Sequence, residues 1–353
     1  MRKLINMKRI LLVNNYDMSQ SRELYVKGSS PSHHLFGTNE LIESGKYEVD
    51  YALVSPKNYH NKLLKLLSLI PIWIKIYKKS LQYDYVYGAA DFTVDFLGMA
   101  KKIGLFRPKL IAIFHHPPFK HRLAIEKFDG IIFLGKDAFN EMKATFPSQS
   151  NKMHFFQWGP DLKFYERIAT IPNCQNEHKE IVFISNGKTK RDHEILVSTS
   201  EAIKAKTIIV SDKQNLPKNF NADNTYVEIF YQEKPDDIKM VELLNRCSVL
   251  VIPTPKGPVK YGPIGLTSLV DAIALGMPVI TADNTVFAEI VEKEKIGLVY
   301  KSGDMSDLKR CMQYFLDHPE EINVMGQNAY NYGRTHNIIA FAQKLEAVLK
   351  LNK

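Results

Sequence analysis

Cysteine is scarce in this chain of 353 residues, which contains only three: Cys174, Cys247 and Cys311. An odd number of widely separated cysteines excludes a disulfide framework, and none of the spacings is typical of a zinc site. A chain without disulfides suits a reducing compartment. We therefore expect a cytoplasmic protein.

Long apolar runs are missing as well. The sequence holds no stretch of about 18 apolar residues free of charge, so it predicts no membrane-spanning helix. At the N-terminus the apolar run extends only from Ile10 to Val13, and no small-residue cleavage site follows it. A first β-strand explains this segment better than a secretory signal does.

Nucleic-acid motifs are also absent. No arginine-rich aromatic platform and no zinc-finger spacing occurs, which argues against a nucleic-acid partner. The formal net charge is nevertheless +9. A basic chain favours partners that carry phosphate, and nucleotides or an anionic membrane surface remain as candidates.

The sequence does contain a regular alternation of apolar strand segments with helical segments, which is typical of parallel sheets covered by helices. A polar, irregular segment at 159–179 separates two such series, and the chain length suits two domains. We predict a polar loop at 15–31 and a helix from Ser32 to about Ser44. Strands are predicted at 9–14, 47–54, 84–87, 109–114, 130–134, 181–185, 206–210, 226–230, 249–252, 279–281 and 298–300.

The segment at 261–291 carries the strongest functional signal. Gly262-Pro263-Ile264-Gly265 forms a loop, apolar residues at helical spacing follow it, and Gly276 ends the helix. Such a loop presents free backbone N–H groups and the positive end of the helix dipole, which suit a phosphate. Asp271, about two turns into the helix, could accept hydrogen bonds from sugar hydroxyls. The plain alternative is an ordinary loop–helix–strand unit with a solvated carboxylate.

A second polar motif, Asn186-Gly187-Lys188-Thr189-Lys190-Arg191-Asp192, directly follows a predicted strand. A glycine turn with three cations at the end of a strand can clamp a diphosphate, because charge-assisted hydrogen bonds to phosphate are strong. A solvated basic turn would have the same composition.

Two adjacent histidines, His115 and His116, follow the strand predicted at 109–114. Side chains of neighbouring strand residues point to opposite faces, so this pair does not predict a metal site. No Asp-x-Asp motif of the kind that holds a nucleotide-bound metal lies in a convincing place. One of the two histidines is a candidate for contact with a substrate. His115 is the preferred candidate and His116 is the alternative.

Together these motifs resemble the donor-binding signature of the retaining GT-B glycosyltransferases, especially family 4. Residues 271–279, Asp-Ala-Ile-Ala-Leu-Gly-Met-Pro-Val, match the second half of that signature, with aspartate in place of a glutamate. Pro263 occupies the position of the first glutamate, and Glu289-Ile290-Val291 corresponds to a later Glu-Val-Val. The resemblance covers most of 180–335 and, more weakly, the N-terminal half.

The resemblance implies an α/β fold of the GT-B type, in which two Rossmann-like parallel-sheet domains face each other across a cleft. We therefore predict an acceptor-side domain at 1–165 and a nucleotide-sugar-binding domain at 166–335. A C-terminal helix at 336–353 would pack back on the first domain.

The resemblance also implies roles for single residues. Lys188 and Arg191 would contact the diphosphate of the donor. Asp271 would hold the ribose, His115 would position the sugar, and Glu289 would face the nucleotide or only support the fold. The other predicted contacts are the donor-binding Gly187, Gly262, Gly265, Leu266 and Thr267 and the acceptor-side Gly28, Ser29 and His33.

The implied activity is transfer of a sugar from a nucleotide diphosphate sugar to a glycan or lipid-linked acceptor, with retention of the anomeric configuration. The nucleotide of the donor is expected to be UDP in preference to GDP. Such an enzyme would serve cell-surface polysaccharide or glycoconjugate synthesis as a cytoplasmic protein, peripheral at the inner face of the cell membrane. Because cations and backbone N–H groups would neutralise the leaving diphosphate, we expect neither a metal nor another cofactor.

Other interpretations remain open. An inverting GT-B transferase would use a base in the first domain, with Asp17, His33 and His34 as candidates. A non-catalytic partner subunit would account for Pro263 at the position of a sugar-contacting glutamate. A sugar-nucleotide epimerase of similar fold fits the second-half signature less well.

The lysine-rich segment at 57–79 has more apolar residues than one buried face requires. Pro71 is expected to kink or split its helix. The surplus lies among lysines and would insert at an anionic membrane interface, although a deeply buried helix is the alternative. The stripe that would pack on the sheet is Leu63, Leu66, Leu67, Ile70, Ile74 and Tyr77, and the surplus is Leu64, Leu69, Ile72, Trp73 and Ile76.

Overall fold

A computed structural model describes residues 7–55, 61–115, 124–169, 171–172, 180–187, 189–218, 224–231, 235–257 and 262–351. Two predicted site residues, Lys188 and the alternative His116, lie outside the described residues. The chain divides into two compact units. The first unit comprises Met1–Gly28, Ser32–Trp158 and Ile338–Lys353, and the second comprises Ser29–Pro31 and Gly159–Asn337.

A parallel sheet forms the centre of the first unit. Its strands are β1 (Lys8–Asn14), β2 (Tyr47–Leu53), β3 (Tyr85–Gly88), β4 (Lys109–Phe114), β5 (Gly130–Phe133) and β6 (Met153–Phe155). They pair in the order β2-β1-β3-β4-β5-β6, each parallel to its neighbours. Residues 10–13 and 110–114 are buried along their whole length. Strands covered on both faces are apolar throughout, which is why they were recognisable in the sequence.

Six α-helices of the described residues lie between β1 and β6 in the chain. They are α1 (Met18–Val26), α2 (Thr38–Glu43), α3 (Lys62–Leu67), α4 (Leu69–Ser80), α5 (Asp95–Lys102) and α6 (Lys136–Thr145). The prediction of a polar loop at 15–31 is wrong, because α1 lies there. The Asp17 carboxylate caps this helix and accepts hydrogen bonds from the N–H groups of Ser19 and Gln20 at 3.0 and 3.3 Å. Met18 is the single buried residue of α1, so no apolar stripe marked the helix in the sequence.

The second unit contains another parallel sheet. Its strands are β7 (Val182–Asn186), β8 (Lys206–Val210), β9 (Val227–Phe230), β10 (Val249–Ile252), β11 (Val279–Ala282) and β12 (Gly297–Tyr300). Their order is β12-β11-β10-β7-β8-β9, again parallel throughout. Strand order reverses beside β7, and ligands of open parallel sheets bind at the carboxyl ends of strands next to such a reversal.

Seven helices of the described residues accompany this sheet: α7 (Leu162–Ile168), α8 (His193–Ile203), α9 (Asp237–Leu244), α10 (Leu266–Leu275), α11 (Ala288–Lys293), α12 (Met305–Asp317) and α13 (Glu320–Thr335). The apolar core on one face joins Phe183 of β7 and Ile280 of β11 to Leu308 and Phe315 of α12, all of them fully buried. Burial of one such side chain stabilises the fold by roughly 1.5 to 3 kcal/mol relative to exposure.

The last helix, α14 (Ile338–Lys350), belongs to the first unit and confirms the helix predicted at the C-terminal end. Phe341 of this helix meets Phe156 edge to face, with ring centroids 5.7 Å apart. Val348 lies so close to Gly130 of β5 that a Cβ at Gly130 would overlap it. The absence of a side chain at Gly130 therefore lets α14 approach the sheet.

In the helix pair α3 and α4, the buried face is not the one that the sequence predicted. Pro71 splits the segment as expected: the helix restarts at Leu69, which places Pro71 in the first turn, where its missing N–H is tolerated. Five of the six residues in the stripe predicted to pack on the sheet are instead exposed, and the prediction is wrong for them; only Tyr77 is half-buried. Ile76, predicted to face a membrane, is 4% exposed, and Trp73 stacks on Phe96 of α5 with ring centroids 5.5 Å apart.

The two parallel sheets confirm the predicted α/β class. Every predicted strand is present within one or two residues, and β6 is the only addition among the described residues. The segment at 159–179 is not wholly irregular, because α7 occupies part of it. None of the helices in the described residues combines the length and hydropathy needed to cross a membrane.

Candidate functional site

The candidate site lies in the second unit, at the carboxyl end of β7. Asn186 ends the strand and Gly187 follows it with φ +139°, a backbone conformation that favours glycine. A Cβ at Gly187 would also overlap the guanidinium of Arg191. The positive φ is the main reason for glycine here, and the lack of a side chain lets the arginine lie against the backbone of the turn.

Arg191 is held in this turn by three hydrogen bonds. Its Nη1 donates to the carbonyl of Thr189 at 2.9 Å, and its Nη2 donates to the carbonyl of Asn186 at 3.3 Å and to Ser268 Oγ at 3.1 Å. Nε is buried and has no hydrogen-bond partner among the described residues. Burial lowers the pKa of the guanidinium to about 10, so it stays protonated at neutral pH.

The N-terminus of α10 lies beside this arginine, since Ser268 stands in the first turn of the helix. Gly265 precedes the helix with φ +87°, and no side chain caps it. The N–H of Leu266 donates to the carbonyl of Pro263 at 3.1 Å, whereas those of Thr267 and Ser268 find no acceptor within the described part of the chain. The first turn of α10 therefore offers backbone donors and a positive dipole end to an anion.

Asp271 connects three elements of the second unit. Its Oδ1 accepts a hydrogen bond from Tyr165 Oη of α7 at 2.6 Å, and its Oδ2 accepts one from Asn186 Nδ2 of β7 at 2.9 Å. The side chain is 8% exposed, and burial raises the pKa of its carboxyl to about 6 although both hydrogen bonds oppose the shift. Tyr165 and the role of Asn186 were not predicted, because the partners are separated by 106 and 85 residues.

Three other predicted donor contacts occupy the same region of the chain. Gly262 is buried in the loop before α10, Thr267 is exposed in the first turn, and Glu289 is exposed in the first turn of α11. The structure thus brings together Gly187, Arg191, Gly265 and Asp271 through direct contacts of their own elements.

In the first unit, His115 follows β4 and its Nε2 donates to the carbonyl of Ala89 at 3.0 Å. A carbonyl only accepts, so the ring is oriented with the proton on Nε2. The backbone N–H of His115 donates to the carboxylate of Asp91, and burial raises the pKa of this carboxyl to about 6. Burial and the neighbouring Asp91 raise the pKa of Asp95 to about 7. Neither Asp91 nor Asp95 was predicted from the sequence as a site residue.

The residues predicted on the acceptor side belong to both units. Gly28, with φ +71°, belongs to the first unit, and Ser29 belongs to the second. His33 is 1% exposed in the first unit, and burial holds the pKa of its imidazole well below the usual range. Such a ring is neutral and shielded from solvent. Asp17, a candidate base for inversion, serves as the cap of α1.

The described residues contain no group of three histidine, cysteine, aspartate or glutamate side chains arranged to hold a metal ion. The predicted independence from metal rests on the cationic phosphate contacts and stays a prediction.

Comparison with known proteins connects this geometry to a family. Residues 173–332, almost the whole second unit, match the family model described as glycosyl transferases group 1. No curated protein sequence matches the chain.

Solved structures share the fold of the full chain. A glycosyltransferase from Rickettsia africae is 13% identical with a TM-score of 0.72, and the match covers 98% of this chain and 100% of that one. HepE from Anabaena, solved in complex with UDP-glucose, is 14% identical with a TM-score of 0.66 and coverage of 97% and 99%. WaaG, described as a glycosyltransferase involved in lipopolysaccharide biosynthesis, is 13% identical with a TM-score of 0.63 and coverage of 98% and 100%.

The shared architecture confirms the predicted GT-B fold with its two Rossmann-like domains. The matched family model spans both candidate phosphate contacts, the turn at Arg191 and the start of α10. Retention and membership of family 4 stay predictions. The chain is a glycosyltransferase with the GT-B fold, and residues 173–332 of its second unit match the model of group 1 glycosyl transferases.

Proposed function

We propose that this enzyme transfers a sugar from a nucleotide diphosphate sugar to a glycan or lipid-linked acceptor, with retention of the anomeric configuration. The observation that carries the proposal is the joint placement of the Arg191 guanidinium and the N-terminus of α10, which meet through Ser268. A protonated guanidinium and free backbone N–H groups are the donors that bind phosphate best in proteins.

The relatives support the choice of donor and pathway. HepE binds UDP and UDP-glucose, which supports a UDP-sugar in preference to a GDP-sugar as the donor. WaaG acts in lipopolysaccharide biosynthesis, which supports a role in cell-surface polysaccharide or glycoconjugate synthesis. The enzyme would work in the cytoplasm, peripheral at the inner face of the cell membrane.

The proposed chemistry follows from charge. The bond between C1 of the sugar and the leaving phosphate oxygen breaks, while the acceptor oxygen bonds to C1 on the same face. Arg191 and the amides of Thr267 and Ser268 stabilise the negative charge that develops on the diphosphate. The acceptor proton passes to the leaving phosphate oxygen, so the reaction needs neither a protein base nor a metal. Lys188 at the diphosphate, Asp271 at the ribose and His115 at the sugar stay predictions.

Two other functions are separable from this one. An inverting transferase would give the opposite anomer, which proton NMR of the product distinguishes. A non-catalytic partner subunit would bind the donor and leave it intact, so slow hydrolysis of a UDP-sugar by the purified chain would exclude it.

The experiment that tests the proposal is substitution of Arg191 by alanine, with binding of UDP and of uridine measured by calorimetry. A hydrogen bond between charged groups contributes about 1.5 to 3 kcal/mol, so we expect UDP affinity to fall about 10- to 100-fold. Uridine lacks the diphosphate, and its affinity should hardly change. The difference separates a phosphate contact from a general disturbance of the site.

The matched control is Lys190→Ala, which removes a neighbouring exposed cation from the same turn. This variant should bind UDP within about a factor of two of the parent. If Arg191→Ala binds UDP as well as the parent does, or loses UDP and uridine affinity equally, Arg191 does not bind the diphosphate.

A further inference from the structure

The surface of α3 and the first half of α4 is unusually apolar for a region in contact with water. Every side chain described in α3 is exposed, including those of four leucines. Ser68 keeps right-handed helical torsion angles, φ −66° and ψ −17°, between the two helices. The exposed stripe therefore continues at helical spacing, and its members are Leu63 at 62%, Leu66 at 51%, Leu67 at 48%, Ile70 at 43% and Ile74 at 50%.

The second half of α4 fixes the orientation of this stripe. Ile76 and Ser80 are buried, and the Tyr77 hydroxyl donates to the carbonyl of Leu105 at 2.7 Å. Trp73 stacks on Phe96 of α5, with ring planes 17° apart. Ile76 and Ser80 lie on the side of α4 away from the exposed stripe, and Tyr77, at the end of the stripe, is half-buried and hydrogen-bonded. The leucines and isoleucines therefore face outward because of packing, not because the helix is loose.

The charge around the stripe has one sign. Lys65, Lys75 and Lys78 are exposed, and Lys78 stands one turn beyond Ile74 on the same face. No aspartate or glutamate occurs anywhere from residue 57 to residue 83. A water-exposed apolar face with lysines and no acidic residues is complementary to a surface that is apolar inside and anionic outside.

We propose that this stripe, together with Lys65, Lys75 and Lys78, is the surface by which the protein binds an anionic lipid bilayer. The aliphatic side chains enter the interfacial layer, and the lysines pair with lipid phosphates. The inference makes specific the membrane partner expected under the proposed function. It differs from the assignment of faces that the sequence predicted, because Ile76 is buried and Trp73 stacks on Phe96.

The test is sedimentation of the 353-residue chain with vesicles of phosphatidylcholine mixed with phosphatidylglycerol, and with vesicles of phosphatidylcholine alone. The parent should pellet with the anionic vesicles at low salt and should pellet much less with the neutral ones. Lys65→Gln, Lys75→Gln and Lys78→Gln together should weaken binding about 100-fold, since each lysine near the surface contributes about a factor of five. Lys79 is kept because its Nζ donates to the carbonyl of Tyr51 at 3.1 Å.

Control variants show whether the loss of binding depends on where the lysines and apolar residues lie or only on how many are replaced. Lys239→Gln, Lys309→Gln and Lys344→Gln change the charge equally at exposed helical sites elsewhere, and they should pellet like the parent. For the apolar half, Leu63→Gln, Leu67→Gln and Ile74→Gln should abolish pelleting. Val324→Gln and Ile339→Gln, which replace exposed residues of α13 and α14, should not.

Melting temperature and UDP affinity, measured on every variant, show whether each is folded. Retained UDP affinity with lost pelleting separates this surface from the donor site, so a failure of one proposal leaves the other testable. The proposal is overturned if the parent stays in solution with anionic vesicles, or if the control lysine triple releases the protein equally. It is also overturned if light scattering shows that the parent is a dimer and that Leu63→Gln, Leu67→Gln and Ile74→Gln dissociate it, because the stripe would then bind a second copy.

Discussion

The buried carboxyl of Asp271 should make the stability of the second unit depend on pH. In the folded chain its pKa is about 6, against a usual value of 3.8. Between these values the folded carboxyl keeps its proton while the unfolded one has released it. The folded state then binds more protons, so stability falls as the pH rises through this window.

The size of the effect follows from the shift of about two pKa units. Each unit corresponds to about 1.4 kcal/mol, so ionisation of Asp271 should lower the free energy of unfolding by about 3 kcal/mol between pH 4 and pH 7. Asp271→Asn removes the titration but keeps a side chain that can accept from Asn186 and donate to Tyr165. Relative to the parent, the variant should therefore gain about 3 kcal/mol across the same window.

Hydrogen exchange on α10, followed by mass spectrometry from pH 4 to pH 7, measures this difference where it arises. Tryptophan fluorescence would not report on the second unit, since Trp73 and Trp158 both lie in the first unit. Asp137→Asn, which changes the charge equally at an exposed position of α6, is the control and should leave α10 unaffected. A difference between Asp271→Asn and the parent that stays flat with pH would show that Asp271 does not titrate as a buried acid.

Two further outcomes are expected. Gly265→Ala should destabilise the protein by about 1 to 3 kcal/mol more than Gly104→Ala, because both residues have similar positive φ values, +87° and +78°, but only at Gly265 would a Cβ lie 2.6 Å from Ile252 Cγ2. Thermal melting of the two variants gives the comparison, and equal losses would mean that the contact with Ile252 relaxes freely. Sugar transfer should survive EDTA, because cationic side chains and backbone N–H groups are proposed to neutralise the diphosphate. Complete loss that Mg²⁺ or Mn²⁺ restores would reveal a metal site.

The inner strands were predictable because they are buried on both faces, so their sequences are apolar runs bounded by turns. The structure departs from the prediction where the local signal is weak. β6 has only three residues, and α1 buries only Met18. The faces of α3 and α4 could not be read from periodicity, since a stripe shows that a helix has two sides but not which side the rest of the chain covers.

The candidate site divides in the same way. Gly187, Arg191, Gly265 and Asp271 stand in local motifs, in which a glycine next to a strand or a helix has a mechanical reason to be there. Tyr165 carries no such mark. Its hydroxyl reaches Asp271 only because the fold brings α7 to α10. A contact between residues 106 positions apart produces no periodic pattern in a single sequence, so it could not be predicted.

The contacts of Asp271 bear on how the site works whether or not its carboxylate touches a ribose. Asn186 donates to Asp271 through its side chain, while its carbonyl accepts hydrogen bonds from Arg191 Nη2 and from Ser268 Oγ, the latter at 2.9 Å. These bonds form one chain from α7 through β7 to the proposed phosphate contacts. Asp271→Asn can preserve this chain but lacks the negative charge, whereas Asp271→Ala breaks it. A loss of UDP affinity in Asp271→Ala alone would therefore place the role of Asp271 in the position of Arg191, and a loss in both variants would place it at the nucleotide.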